Sequence, residues 1–467
     1  MSPTRSTRSN SLEQHLLPID FLIIGGGVAG LCSAIALTRV GHKVTLFDQS
    51  SDFEKTKGAG GCRVPPNMSK ILIRWGLEKQ LRAIASTSRT VHLARYDSGY
   101  TLGTHAWEAE VLKETGGDFI CMHAQSPFPS SNNALSFQYG SLRKLFSGLR
   151  RKFEFDVILG ADGQSGISRR VVADQEERET PLGMSMYNLV VPKDKINQEP
   201  ELLEMLEQGT IHTWLGDGRA AIGYPIKNPD NPHDKDYALH LWLPADDMAG
   251  NGWTSAVDND FLLSEMGTCE SRLRKLAGLA PAPACIPVTE RPELEDWVHE
   301  DGPMLLIGSA AHPFYPGALQ GMSLGVCDAA ALGHLFQHLH TRDQIETFLW
   351  AFEEIRQGRV SSIKEAEMNY LSTLTLPSGE MQELRDKSMR AKYDAGLNAL
   401  DADNGGDDIA EQFEAVRETF GYDAEDEADD WWVKWGSLKE RAQYDVIKTD
   451  FVFAVQSQES TTSVCVE

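Results

Sequence analysis

The chain has 467 residues, of which 41% are hydrophobic, and carries a formal net charge of −24. That length and apolar content suffice for two or three domains with sizeable cores and exclude a disordered chain. The charge argues against nucleic acid or an anionic membrane as the main partner.

The first twelve residues are rich in Ser, Thr and Arg and have no secretory apolar core, and residues 1–18 read as a disordered tail. An apolar run ending in Ile23-Ile24 then meets Gly25-Gly26-Gly27-Val28-Ala29-Gly30, a G-x-G-x-x-G turn opening a small-residue helix. A second strand, Val44 to Phe47, ends on Asp48, 23 residues after Gly25. This is the spacing of a dinucleotide fingerprint. Gly25 permits the tight turn, Gly27 admits a pyrophosphate to the backbone, and Gly30 allows close helix–strand packing. The helix N-terminus offers free N–H groups to phosphate, and Asp48 offers a carboxylate to an adenosine ribose.

Residues 58–85 read as a glycine loop followed by one helix, Met68 to Ala85. From about 91 to 150 the pattern is poor, with an irregular Ser/Pro/Asn stretch at Ser126–Asn133. Phe155 to Leu159 is a buried strand running into Gly160-Ala161-Asp162-Gly163. Between 185 and 244, short β-rich runs (Met186–Val191, Ala220–Pro225, Tyr237–Leu243) alternate with turn clusters and predict an antiparallel sheet. Met304 to Ile307 leads into Gly308-Ser309-Ala310-Ala311-His312-Pro313 and a helix from Gly321 to Leu335. Residues from Gln344 to about Ala442 have helical period. Within them the acidic run Asp423–Asp430 reads as a solvated face, and Trp431, Trp432 and Trp435 as a helix packed on the main body.

Segments 19–48, 156–166 and 304–335 share one design: strand, glycine-rich turn, helix. The fold class expected is therefore α/β, a Rossmann-like domain interrupted by a mainly antiparallel sheet and followed by a helical C-terminal region. The interrupting sheet would supply the substrate pocket, since ligand sites favour domain interfaces. Seven scattered cysteines without a C-x-x-C suggest neither disulfides nor zinc and fit a reducing, cytoplasmic setting. No apolar run reaches the ~20 residues of a membrane span. Asp401 to Gly406 starts like a calcium loop, but its twelfth position is Gln412, so no metal is expected.

The ordered set Gly25–Gly30, Gly160–Gly163 and Gly308–Pro313 resembles the FAD-dependent aromatic hydroxylases, the group of p-hydroxybenzoate and salicylate hydroxylases. Phe314 to Gly321 looks like that family's proline-glycine loop, and Gly58 to Asn67 is similar to a loop of the salicylate branch. The resemblance implies FAD, NADPH or NADH as a transient donor, and O2, with a flavin C4a-hydroperoxide hydroxylating a small aromatic, phenolic or salicylate-like substrate. A larger secondary metabolite is the alternative substrate, and an FAD-free binding scaffold the non-catalytic one; a monomer or homodimer is expected. By resemblance, the cofactor contacts are Gly25, Gly27, Val28, Ala29, Gly30, Asp48, Ala59, Gly61, Asp162, Ser309, Pro316, Gly317 and Ala318. Arg63, read by itself, would pair with a substrate carboxylate or a flavin phosphate, or stand as a plain surface arginine.

Tyr224 would hydrogen-bond substrate or pack in the core, and His212 and His240 are candidate bases for phenol deprotonation. His312, between two alanines and a proline, reads as a structural cap. The division implied is 1–18 tail, 19–180 first part of the FAD domain, 181–300 substrate domain, 301–345 second part of the FAD domain, 346–445 helical region and 446–467 polar tail. Two departures stand out. Ser309 occupies a position where the family usually has Asp. Only 32 residues separate His123 from Asp156, so the segment 124–155 is short of an arginine-bearing helix and the strands that follow it.

Overall fold

The computed structural model describes residues 16–49, 60–107, 113–124, 138–141, 154–173, 178–245, 255–281, 283–400 and 416–439. Ala59, the Ser126–Asn133 stretch and the Asp401–Gln412 segment lie outside them.

The chain opens with β1 (Asp20–Ile24), α1 (Val28–Arg39) and β2 (Lys43–Asp48). It continues through β3 (Gly61–Val64), α2 (Pro66–Arg74), α3 (Glu78–Ile84), β4 (Ala85–Thr87), β5 (Thr90–Arg95), β6 (Thr101–Ala106), β7 (Ile120–His123) and β8 (Gln138–Ser141). Next come β9 (Val157–Gly160), α4 (Ile167–Ala173), β10 (Thr180–Val191), α5 (Lys193–Ile196), α6 (Pro200–Gln208), β11 (Ile211–Leu215), β12 (Ala220–Lys227) and β13 (Lys235–Pro244). Then follow β14 (Ser255–Ala256), α7 (Asn259–Glu265), α8 (Ser271–Leu279), β15 (Ala284–Glu290) and β16 (Met304–Leu306). The helices α9 (Gly321–Phe336), α10 (Gln344–Leu374), α11 (Glu380–Asp394) and α12 (Ala424–Trp431) complete it.

Three strands that each precede a glycine turn, β16, β9 and β1, are neighbours in one parallel five-stranded sheet of order β16-β9-β1-β2-β8. One face is apolar and buried (Phe21, Ile23, Leu46, Val157, Leu159, Leu305), and on the other Leu22, Ile24 and Ile158 are half-buried. α1 and α9 cover one face through small residues: a Cβ on Gly333 would lie 3.0 Å from that of Ala36. The Rossmann-like α/β region, the antiparallel sheet and the helical C-terminal region agree with the expected class.

The second sheet has eight strands, ordered β14-β15-β10-β13-β12-β11-β5-β6. All neighbours in it are antiparallel except β11 and β5. Two of its strands, β5 and β6, come from residues 90–106, where the sequence shows no clear period. Alternation divides the faces. Ala221, Tyr237, Leu239 and Trp214 pack under α6, α7 and α8, whereas Ile222, Tyr224, Ala238 and Trp242 face the opposite way, toward Tyr315 and Ala318. A small antiparallel sheet, β3-β7-β4, lies between the two large ones. His123 therefore ends a strand rather than starting a helix. Strand β8 pairs with β2, and no strand is described between β8 and β9.

Two local expectations change. The helix expected over Met68–Ala85 is two helices, because Gly76 adopts φ +84° and closes α2 with the Gly76 N–H on Ile73 O and the Leu77 N–H on Leu72 O. The acidic run is not wholly solvated. Asp423 pairs with Arg74 and Lys70, and Glu425 accepts from Arg74 Nη1 at 2.7 Å and Trp75 Nε1 at 3.0 Å. Trp431 and Trp432 pack edge-on to Phe348, as expected of that helix, but Trp435 is exposed. Among the described residues no helix is long and apolar enough to cross a membrane.

Hydrogen bonds and neighbouring cations hold Asp423 and Glu425 below the usual carboxylate range, overcoming their burial. A depressed acid stabilises above its unfolded pKa and loses that contribution as pH falls through its folded value. Glu425→Ala should therefore lower stability by about 2 kcal/mol at pH 7. The difference from wild type should shrink as pH falls below about 4 in thermal melts.

Candidate functional site

Three backbone turns meet at the carboxyl ends of β1, β9 and β16. Gly25 has φ +110°, and a Cβ on it would sit 2.3 Å from Ala161 O. Gly30 is equally constrained, its Cβ position lying 2.0 Å from Gly25 O. Gly308, at φ +58°, presses on Ala29 in the same way. Each of these glycines is thus required by close approach. Gly27 differs: its φ is an ordinary −69°, and no described residue lies within 4 Å of its Cβ position. It is a glycine facing open space at the first turn of α1. The N–H groups of Val28, Ala29 and Gly30 have no intrahelical acceptor, as at any helix start.

Asp48 ends β2 beside this turn, and its Oδ2 accepts the Gly26 N–H at 2.7 Å. Asp162 accepts from Ser168 N at 3.1 Å, while its buried Oδ1 has no partner among the described residues. Ser309 is exposed on the turn after β16. Open space at Gly27, free N–H groups at a helix start and two acidic side chains at strand ends form a donor and acceptor set that fits a dinucleotide.

The third turn is anchored from below. Asp328 of α9, fully buried, accepts from Gly308 N (2.8 Å), His312 Nε2 (2.7 Å) and Arg356 Nε (2.9 Å). Despite burial, these partners bring its pKa down to about 2. Arg169 donates from the opposite side to the carbonyls of Ala310, Ala311 and Pro292. His312 is therefore a buried member of this scaffold, in keeping with the structural reading.

The remaining expected residues gather around the loop after His312. Gly317 (φ +84°) has Trp242 and Met186 against its Cβ position. Trp242 Nε1 donates to Pro316 O at 3.1 Å, and Arg63 Nη2 to Gly317 O at 2.7 Å. Glu367 of α10 accepts from Tyr315 OH (2.9 Å), Leu319 N (3.2 Å) and Gln320 N (2.9 Å). Burial raises its pKa and Arg63 opposes that shift. Tyr224 OH and the Gly61 carbonyl both lie 3.1 Å from His240 Nε2. Burial, reinforced by Arg63, holds His240 neutral down to about pH 3, while burial raises the Tyr224 phenol.

Pro316, Gly317, Ala318, Gly61, Arg63, Tyr224 and His240 thus form one group. His212 does not join it. Its side chain lies on the other face of the sheet, where Nδ1 is 3.0 Å from Tyr237 OH and the ring stacks on Trp214. The alternation of β11 sends it there, so of the two candidate bases only His240 lies beside the Gly317 loop.

Residues that sequence reasoning missed are Trp242, Arg169, Arg356 and Glu367. Three charges of α10, Glu353, Arg356 and Glu367, fall on its buried stripe with Phe352, Val360, Ile363 and Leu371. Charges interrupting an apolar helical stripe were the available signal.

The family model described as FAD dependent oxidoreductase matches residues 20–149. The chain is 25% identical over 388 residues to the FAD-dependent monooxygenase OpS4 of Beauveria bassiana (strain ARSEF 2860), covering 80% of this chain and 89% of that protein. It is also 25% identical to 3-amino-4-hydroxybenzoate 2-monooxygenase PtnB3 of Streptomyces platensis, covering 79% and 91%. A salicylate hydroxylase solved as a substrate complex shares the fold, with a TM-score of 0.65 at 16% identity, covering 88% of this chain and 97% of that one. Fold and matches together define the class, an FAD-dependent flavoprotein resembling the aromatic hydroxylases. Within it the chain is an FAD-dependent monooxygenase.

Asp328→Ala should cost about 3–5 kcal/mol in chemical denaturation, because it strands the buried Arg356 guanidinium.

Proposed function

We propose that the protein uses NADH or NADPH and O2 to hydroxylate an aromatic, phenolic or salicylate-like substrate. The supporting observation is the convergence of the Gly25, Ala161–Asp162 and Gly308 turns at neighbouring parallel strand ends, with the Gly61–Gly317–Tyr224 group beyond them. The balance is substrate C–H plus O2, NAD(P)H and a proton giving substrate C–OH, water and NAD(P)+. FAD, when bound, supplies the two-electron reduction and the activation of O2.

The chain's residues bind, orient and exclude water. Val28, Ala29 and Gly30 would hold the pyrophosphate through their N–H groups, with Gly27 leaving room for it. Asp48 would hold the adenosine ribose, and Asp162 would offer its unpaired oxygen to a cofactor hydroxyl. Ser309 stands where an acid would otherwise meet the cofactor and can still form a hydrogen bond. Pro316, Gly317 and Ala318, with Gly61, would border the ring system, their loop fixed by Glu367 and Trp242. Tyr224 closes the substrate side, held by His240. A histidine that stays neutral to about pH 3 is a poor proton acceptor at pH 7, so its role here is to orient the Tyr224 hydroxyl.

Gly27→Ala separates binding from folding, because the backbone there suits any residue and the added methyl meets only the cofactor space. It should leave the melting temperature of the apoprotein unchanged and weaken FAD at least tenfold, about 1.4 kcal/mol, in a fluorescence titration. The reaction itself is tested by NAD(P)H oxidation with aromatic acids and phenols, scored for hydroxylated product. Flavin reduction that yields only hydrogen peroxide with every such compound would contradict the proposed substrate class.

A further inference from the structure

Arg63 carries more donors than the protein uses. It stands on β3, half-buried, and no ion pair to it occurs among the described residues. A guanidinium has five N–H donors. Among the described residues one bond is made, from Nη2 to the Gly317 carbonyl. Glu367 is the counter-charge that helps to hold the Arg63 pKa up, but its hydrogen bonds go to Tyr315, Leu319 and Gln320 and not to the guanidinium. The phenols of Tyr224, Tyr370 and Tyr315 also act on Arg63 electrostatically. These three phenols have their pKa values raised by burial, so they are neutral at pH 7 and do not balance the cation. What stays unfilled is the hydrogen-bonding capacity of the guanidinium, and leaving such donors without acceptors is costly. The same loop that accepts from Arg63 has the Trp242 ring against Gly317. Arg63 therefore offers unfilled donors beside an aromatic wall, which suits a planar anion gripped by a planar fork.

We infer that Arg63 anchors the carboxylate of an aromatic acid substrate beside the Gly317 loop. This rests on the function proposed above, which assigns the cofactor's pyrophosphate to the start of α1 and so leaves the guanidinium to the substrate. Arg63 is then a specificity residue: it selects ionised acids over their neutral isosteres.

The test is calorimetric titration of the purified full-length protein with salicylate and with salicylamide, its uncharged isostere, while bound flavin is scored separately by absorbance. Wild type should bind salicylate at least tenfold more tightly than salicylamide. Arg63→Gln should abolish that preference, and Arg63→Lys, which keeps the charge but not the fork, should keep part of it. FAD content is read in all three proteins, and the salicylate preference is compared at equal FAD occupancy. The inference is overturned if wild type binds the two equally, binds neither, or if the preference survives in Arg63→Gln. It is also overturned if the Gln variant loses FAD while its salicylate preference stays intact, since that makes Arg63 a cofactor residue. Wild type that takes up no FAD would sink the flavoprotein reading instead, and the calorimetry of the flavin-free protein would still decide on Arg63.

Discussion

The buried Asp328–Arg356 pair is the constraint on which the site depends. Both side chains are fully excluded from solvent, so the pair must recover a large desolvation cost through geometry. It does so by joining α9 to α10 and holding Gly308 and His312 on the same carboxylate. The turn after β16 is thereby fixed relative to both helices. Two further charges on the same stripe of α10 repeat the device. Glu353 accepts the N–H groups of Trp297 and Val298, and Glu367 those of Leu319 and Gln320. One helix thus sets the height of three loops, two of which border the candidate site.

Against that rigid floor the glycines divide by function. Gly25, Gly30 and Gly308 are glycine because the chain packs on itself there. Gly27 has an unstrained backbone and a direction empty of described residues, which leaves room for a ligand. The same contrast separates the two histidines of the antiparallel sheet. His240 and Tyr224 face the Gly317 loop, while His212 and Tyr237 face the helices behind. Strand alternation, not residue type, decides which of them can meet a substrate.

The legible parts of the fold were the local ones. The Gly25 fingerprint, the strand ends at Asp48 and Asp162, and the β-rich runs from Met186 to Leu243 carry their meaning within a few residues. Strands β5 and β6 were not legible, because their short runs include Thr, His and Gly and are completed by β11, more than a hundred residues later. The break between α2 and α3 was written in Gly76 and masked by the helical period around it. The burial of Asp423 and Glu425 was hidden because their partners, Arg74, Lys70 and Trp75, lie about 350 positions away. In the site, the residues named from glycine motifs came together. The side chains that hold them in place, Arg169, Trp242, Arg356 and Glu367, act across distances that no motif records.

The central claim is that the three glycine turns build a working FAD site although Ser309 replaces the usual acid and the 124–155 segment is short. The visible absorption spectrum of the purified protein, taken after incubation with FAD and desalting, tests it most directly. Retained flavin bands at close to one FAD per chain are the predicted result. A colourless protein that takes up no FAD would contradict the account, since the open space at Gly27 would then have no occupant.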